Sequence, residues 1–203
     1  WEELLVHYEK ELTNFKANLA MLKDKANGKG VATVKTIQAL PAANVKLAGA
    51  ASLVKLDKGV RLFSNVPGAV EDLAPELVGL QAFTFNGDKQ REVGTTIEFE
   101  AKEPVKLLVG YFRDDQKKYA KAPKLETDAA ANEYGQAEAK LTNAIRIDGM
   151  PLADVHAYHF PAGKHKLLLP KGYLMVFGFT SADITPRNAA LAGAEETMDW
   201  MFY

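Results

Sequence analysis

The hydrophobic positions of this 203-residue chain follow one period near its start and another after residue 30. In residues 2–26, apolar side chains recur at alternating spacings of three and four, which is the seam of an amphipathic helix. These side chains are Leu5, Tyr8, Leu12, Phe15, Leu19 and Leu22. The pattern stops at Asn27-Gly28, so we predict a helical leader over residues 1–28. A helix of this length is marginal alone in water, and either a second helix in a coiled coil or the following domain must cover its seam.

From residue 31 onward the period changes to two, and short apolar segments alternate with turn residues. The clearest segment is residues 95–101, in which Ile97 and Phe99 alternate with charged side chains, as in a strand with one face in water. Short strands separated by turns every 8 to 12 residues or so are typical of β-sandwiches and jelly rolls. We therefore predict a mainly β fold, with a β-sandwich or jelly-roll-like domain over residues 31–203 after the N-terminal amphipathic helix.

Residues 153–180 predict three consecutive antiparallel strands separated by two similar turns. The turns are Phe160-Pro161-Ala162-Gly163 and Leu169-Pro170-Lys171-Gly172, each with proline where φ must be near −65° and glycine where a positive φ is cheap. A hairpin at the first turn would place His159 opposite His165 on one face. Two exposed polar residues beside a turn explain this pair more simply than a metal site, and we predict no metal.

Several shorter features complete the pattern. The turn Asp57-Lys58-Gly59 predicts a hairpin between residues 53–56 and 60–64, and Pro75-Glu76-Leu77 predicts one helical turn. Asn86-Gly87-Asp88 predicts a further turn, and residues 114–136 form the longest polar interval, which we interpret as a long loop.

Composition excludes several classes of function. The chain has 25 basic and 26 acidic residues, a formal net charge of −1 and no basic cluster, which argues against nucleic-acid binding. No apolar segment approaches the roughly 20 residues that span a bilayer. There is no cysteine, hence no disulfide and no thiol nucleophile. Glycine-rich phosphate-binding motifs are also absent, and we expect no cofactor. The chain begins at Trp1, from which we expect a larger parent protein.

The candidate binding residues lie where a predicted strand runs into the polar interval. They are Tyr111, Arg113, Asp114, Asp115 and Tyr119. Aromatic faces beside planar hydrogen-bonding side chains suit a sugar ring, which offers C–H groups for stacking and hydroxyls for hydrogen bonds. The alternative is that the aromatic side chains belong to the core. Carboxylates of the same interval, among them Asp114, would be the candidates for glycoside hydrolysis, but a charged loop is usually just solvated.

Several phrases of the sequence resemble those of β-sandwich accessory domains associated with secreted bacterial polysaccharide-degrading enzymes. They are VKLDKGVRLFSN (54–65), EDLAPELVGLQAF (71–83), EPVKLLVGYF (103–112) and AGKHKLLLPKG (162–172). Where those domains have Leu-Pro in the second phrase, this chain has Leu73-Ala74 and then Pro75. The resemblance implies a non-catalytic module of a larger secreted bacterial protein, and it identifies no binding residue.

Three functions remain open on the sequence alone. The first is a non-catalytic accessory module that binds a polysaccharide or oligosaccharide at residues 111–119. The second is a structural domain without a small ligand, which associates with another copy or an upstream domain through the helical seam. The third is a glycoside hydrolase that uses loop carboxylates. A secreted or periplasmic location fits the first function.

Overall fold

The computed structural model describes residues 39–49, 51–123 and 138–183. For residues 138–140, it describes the backbone alone. The chain divides into two compact units, residues 1–37 and 38–203, and the described residues belong to the second unit. The predicted helical leader with its seam, most of the polar interval 114–136 and the chain end lie outside the described residues.

The described part is mainly β, as predicted, and its strands form sandwich-like antiparallel sheets. The strands are β1 (Val45–Leu47), β2 (Leu53–Lys55), β3 (Val70–Leu73), β4 (Gln81–Phe83), β5 (Thr95–Ala101), β6 (Val105–Phe112), β7 (Glu138–Ile147), β8 (Ala153–Phe160), β9 (Gly163–Leu169) and β10 (Met175–Ser181). Pro75–Leu77 is a 3-10 helix, as predicted, and α1 spans Gly87–Val93. Within the described residues, five strands form a sheet in the order β10-β6-β8-β7-β3, three form a sheet in the order β1-β5-β9, and β2 pairs with β4. No helix among the described residues is long and apolar enough to cross a membrane.

Strand β6 lies between two hydrophobic cores, and its sequence is apolar or glycine at every position except Lys106. All eight of its residues are buried. Leu107 and Val109 face a core shared with β5, β9 and β10, which lies between the five-stranded and three-stranded sheets. Leu108 and Phe112 face a second core, shared with β3, β7 and the segments around β2 and β4. Because both faces of this strand are covered, apolar side chains occupy both of its faces.

The three strands at residues 153–180 exist, but the prediction that they pair consecutively is wrong. β8 pairs with β6 and β7, β9 pairs with β5, and β10 pairs with β6. His159 therefore lies opposite Lys106, and His165 lies opposite Phe99. Both turn glycines have positive φ, +134° at Gly163 and +124° at Gly172, as the turn chemistry requires. These turns carry the chain from one sheet to the other instead of closing hairpins.

Two other local predictions also need correction. Residues 53–56 and 60–64 do not form a hairpin, because β2 pairs with β4 and the backbone of Val60 hydrogen-bonds to Val70 instead. The predicted turn at Asn86-Gly87-Asp88 is the start of α1. The Asn86 side chain caps this helix by accepting a hydrogen bond of 3.0 Å from the Lys89 backbone N–H.

Candidate functional site

The predicted binding residues lie on and around the loop that follows β6, residues 113–118, which we call the strand-end loop. The backbone holds this loop at both ends. At its start, the Arg113 N–H donates to the Leu152 carbonyl at 2.8 Å, and at its end the Tyr173 N–H donates to the Lys118 carbonyl at 2.8 Å. The strand-end loop is therefore fixed to the start of β8 on one side and to the turn before β10 on the other.

Arg113 is tied to two residues that the sequence analysis did not single out. Its Nη1 donates to the side-chain oxygen of Asn143 at 2.8 Å, and its Nε lies 3.8 Å from Oδ2 of Asp154. The Arg113 side chain is 41% exposed and that of Asp154 24% exposed. The guanidinium is thus held in one orientation at the surface, with part of it open to solvent.

A bulge in β7 creates this arrangement. Leu141 pairs with Val155 and Ile145 pairs with Ala153, so three residues of β7 lie opposite Asp154 alone. In the middle of the bulge, Asn143 has φ of +47°, and its backbone N–H donates to the Asp154 carboxylate at 2.6 Å. Asparagine tolerates this left-handed conformation better than most residues do. Nothing in the local sequence LTNAIRI signals the bulge.

The remaining polar side chains of the strand-end loop fall into two groups. Both carboxylate oxygens of Asp114 accept hydrogen bonds from Gln116, one from its backbone N–H at 2.7 Å and one from its side chain at 3.0 Å. This is a local turn in which Asp114 has a structural partner. Asp115 and Lys117 are exposed. Arg113, Asp115 and Lys117 are the charged groups of the loop that reach solvent most freely.

The two predicted aromatic residues lie in the core. Tyr111 is 2% exposed, shares a hydrogen bond of 2.7 Å with the hydroxyl of Tyr158, and contacts His156 edge to face at 5.1 Å between ring centroids. Tyr119 is 5% exposed and packs on Phe112 with the ring centroids 4.9 Å apart. Neither ring offers a free face for stacking, and ligand binding at the strand-end loop stays a prediction.

The chemistry available at the strand-end loop is hydrogen bonding by charged groups. Among the described residues, no three histidine, cysteine, aspartate or glutamate side chains lie close enough together to hold a metal ion. The Nε2 atom of His165 lies 2.7 Å from the Pro161 carbonyl, within its own turn. A guanidinium and a carboxylate at a strand end suit the hydroxyl or carboxylate groups of a sugar.

The described residues also form surface grooves that the sequence analysis missed, and two of these grooves share part of their linings. Both lie on the three-stranded sheet around the end of β1. The larger groove, of about 510 Å³, crosses the outer face of this sheet between Lys46, Glu98 and Lys166. The smaller groove, of about 200 Å³, lies between Phe85 and Thr96. The alternation in β5 indicated an exposed face, but the partner strands that complete the grooves come from distant parts of the chain.

Comparisons with known proteins include an informative match to a solved structure. The whole chain is similar to part of a solved structure of a GH138 enzyme targeting pectin rhamnogalacturonan II, with 50% sequence identity and a TM-score of 0.76. The chain spans 23% of the length of that enzyme. A β-glucuronidase from glycoside hydrolase family 2 matches 66% of this chain and 14% of its own, with 12% identity and a TM-score of 0.45, which is too slight a likeness to bear on the argument. No protein-family model matches the chain, and no curated protein does so either. The similarity to part of a glycoside hydrolase agrees with the association with polysaccharide-degrading enzymes that the sequence phrases indicated.

Proposed function

We propose that this chain is a non-catalytic accessory domain of a larger polysaccharide-degrading enzyme, and that it binds the polysaccharide. The observation that carries the proposal is the match of the entire chain, at 50% identity, to 23% of a GH138 enzyme. A similarity that extends over the whole of one chain and under a quarter of the other is what a shared domain produces. The enzyme in question targets pectin rhamnogalacturonan II. We therefore take pectic polysaccharide as the ligand class and a secreted or periplasmic location as the setting.

The engagement of Asp114, one of the candidate carboxylates, supports a non-catalytic role. Glycoside hydrolysis uses two carboxyl groups that flank the scissile bond, about 5 to 9.5 Å apart. In the strand-end loop, both oxygens of Asp114 accept hydrogen bonds from Gln116. Asp154 binds the Asn143 backbone and faces Arg113. These contacts stabilise the loop and the bulge, and they occupy the oxygens that a catalytic acid or nucleophile needs.

A structural role is the second candidate function, and the burial of Tyr111 and Tyr119 favours it. On this alternative the domain packs against the rest of the parent enzyme or against another copy, and it has no small ligand. The helical seam predicted at Leu5 to Leu22 would supply the contact. The third candidate, a hydrolase that uses the strand-end carboxylates, ranks last because of the contacts just described.

Affinity electrophoresis of the full 203-residue chain tests the proposal. The gels contain rhamnogalacturonan II, homogalacturonan or a neutral polysaccharide, and the release of reducing ends is measured on the same substrates. We expect retardation by a pectic polysaccharide and no reducing ends. The double variant Asp115→Ala/Lys117→Ala alters exposed loop groups, so reduced retardation in this variant would assign the binding to the strand-end loop.

Other outcomes of these measurements identify the competing functions. Release of reducing ends that Asp114→Asn abolishes would establish the hydrolase and contradict the proposal. Absence of retardation in every gel, together with a dimer in light scattering that Leu12→Asp converts to a monomer, would establish the structural role.

A further inference from the structure

We propose that the smaller groove, beside Phe85, holds one sugar ring of an acidic polysaccharide, and that the chain of the polysaccharide continues across the lysines of the larger groove. This inference rests on the proposed function and gives it a site. The groove lies where β1 ends while its neighbour β5 continues. The residues that matter here are Ser52, Phe83, Thr84, Phe85, Thr96 and Glu98.

Phe85 forms a rigid aromatic wall of the smaller groove. Its ring is nearly parallel to that of Phe83, at an interplanar angle of 7° with the centroids 6.0 Å apart. Phe83 is 7% exposed, whereas Phe85 is half-buried. The backbone of Phe85 is fixed by two hydrogen bonds to other backbone groups, from its N–H to the Leu62 carbonyl at 3.0 Å and from the Ser64 N–H to its carbonyl at 2.8 Å. The Ser64 hydroxyl donates to the same carbonyl at 3.4 Å. A partly exposed ring that is already ordered can stack on the C–H face of a sugar at little cost in conformational entropy.

The opposite side of the smaller groove supplies polar groups. The Glu98 carbonyl accepts a hydrogen bond of 2.9 Å from Ala48, the residue with which β1 leaves the sheet. Backbone groups two residues apart in an antiparallel strand point to the same side, so the N–H and C=O of Thr96 point past the end of β1. The side chains of Thr96 and Glu98 are exposed. A ring stacked on Phe85 would therefore meet a hydroxyl, a carboxylate and main-chain groups, which match the hydroxyls of a sugar.

The larger groove adjoins the smaller groove, and its charged side chains favour an acidic ligand. The two grooves share Leu47, Ala48 and Glu98 in their linings. In the larger groove, Lys46 and Lys164 flank Glu100 on the two neighbouring strands. Lys166 forms an ion pair of 2.7 Å with Glu98. Its lining contains three lysines and two glutamates, an excess of positive charge that favours the carboxylates of uronic acids over a neutral chain.

The test measures retardation by rhamnogalacturonan II and by a neutral polysaccharide for four variants of the full chain. Phe85→Leu removes the flat ring but keeps an apolar side chain, and Thr96→Val removes one exposed hydroxyl while keeping a β-branched strand residue. Lys164→Gln removes one charge from the larger groove. Lys58→Gln is the matched control, because this lysine is exposed but lies on neither groove.

We expect Phe85→Leu to weaken binding about tenfold, which corresponds to about 1.4 kcal/mol, with a smaller loss for Thr96→Val. Lys164→Gln should weaken binding to the acidic polysaccharide, and Lys58→Gln should not. Wild-type retardation that Phe85→Leu and Thr96→Val leave unchanged would overturn this site while the proposed function stands. Absence of wild-type retardation would overturn both. Equal binding of the neutral polysaccharide would overturn the role of the lysines. Should Phe85→Leu unfold the domain, as thermal melting would reveal, Thr96→Val decides the outcome.

Discussion

The two glycines that end the turns around β9 have similar backbone angles but different surroundings, and this difference gives a quantitative prediction. Gly163 has φ of +134°, and a methyl group added there would come no closer than 3.8 Å to another group, the His165 ring. Gly172 has φ of +124°, but the added methyl would lie 2.5 Å from the carbonyl carbon of Tyr119 and closer still to the Ala120 nitrogen. Gly163→Ala therefore measures backbone strain alone, whereas Gly172→Ala adds a steric overlap.

The expected magnitudes follow from these contacts. A residue with a side chain held in this region of φ costs about 1 to 3 kcal/mol, and both variants carry that cost. Gly172→Ala must also push residues 119–120 away from the turn. That movement breaks two hydrogen bonds, Tyr173 N–H to Lys118 at 2.8 Å and Ala120 N–H to Tyr173 at 3.1 Å. At about 1 kcal/mol each, their loss makes Gly172→Ala about 2 kcal/mol more destabilising than Gly163→Ala.

Thermal unfolding followed by circular dichroism compares the two variants directly. For a domain of this size, about 2 kcal/mol lowers Tm by roughly 4 °C or more, so Gly172→Ala should melt at least that far below Gly163→Ala. Hydrogen exchange should also show faster exchange of the Ala120 amide in Gly172→Ala and unchanged exchange in Gly163→Ala. Equal melting temperatures, with the Ala120 amide protected in both variants, would refute the conclusion that the turn before β10 fixes the strand-end loop.

Substitutions at three further positions test other contacts. Asn143→Ala should destabilise the domain by about 2 kcal/mol in urea unfolding, because it strains the bulge at a φ of +47° and removes the part-buried hydrogen bond from Arg113. Asn143→Gly, which accepts the positive φ, should cost less. Gln90→Leu should cost about 1 to 3 kcal/mol, because the Leu174 N–H, which donates to Gln90 at 3.1 Å, would lose its partner. The hydrogen bond from Lys58 lowers the pKa of the Asp72 carboxyl below its usual 3.8. The pair therefore stabilises the fold fully above pH 3.8, and this stabilisation is lost as the pH falls through the lowered pKa of Asp72. In urea unfolding, Lys58→Ala should therefore cost under about 1 kcal/mol at pH 7 and nothing in strong acid, since the side chains of Lys58 and Asp72 are 62% and 35% exposed. An equal cost at both pH values would contradict the ion pair.

How well a strand could be predicted depended on whether one of its faces is exposed to water. The strand β5 was predicted with both of its ends, because its outer face is wet and its alternation is visible in the sequence. In β6, both faces are covered, and an apolar run broken only by Lys106 does not indicate which strands lie beside it. The proline and glycine of the turns at Gly163 and Gly172 fix local angles, but the same angles serve a hairpin or a passage between sheets. The pairing partners of β8, β9 and β10 were consequently missed.

The candidate site was predictable only in its location along the chain. The partners of Arg113 are Asn143 and Asp154, which lie 30 and 41 positions away and come into contact through a bulge. No local pattern reports such a contact. Tyr111 and Tyr119 flank a polar loop, and an aromatic residue in that position can face water or the core with the same sequence around it. The fold here turns both rings inward, and the partly exposed ring of Phe85 lies instead beside the three-stranded sheet.

The central claim is that this domain binds polysaccharide without cleaving it. The most direct measurement is a calorimetric titration of the purified 203-residue chain with rhamnogalacturonan II, followed by analysis of the same sample for newly released reducing ends. The account predicts a saturable binding heat and an intact polysaccharide at the end of the titration. Cleavage of the polysaccharide, or the absence of any binding heat with a fully folded protein, would contradict it.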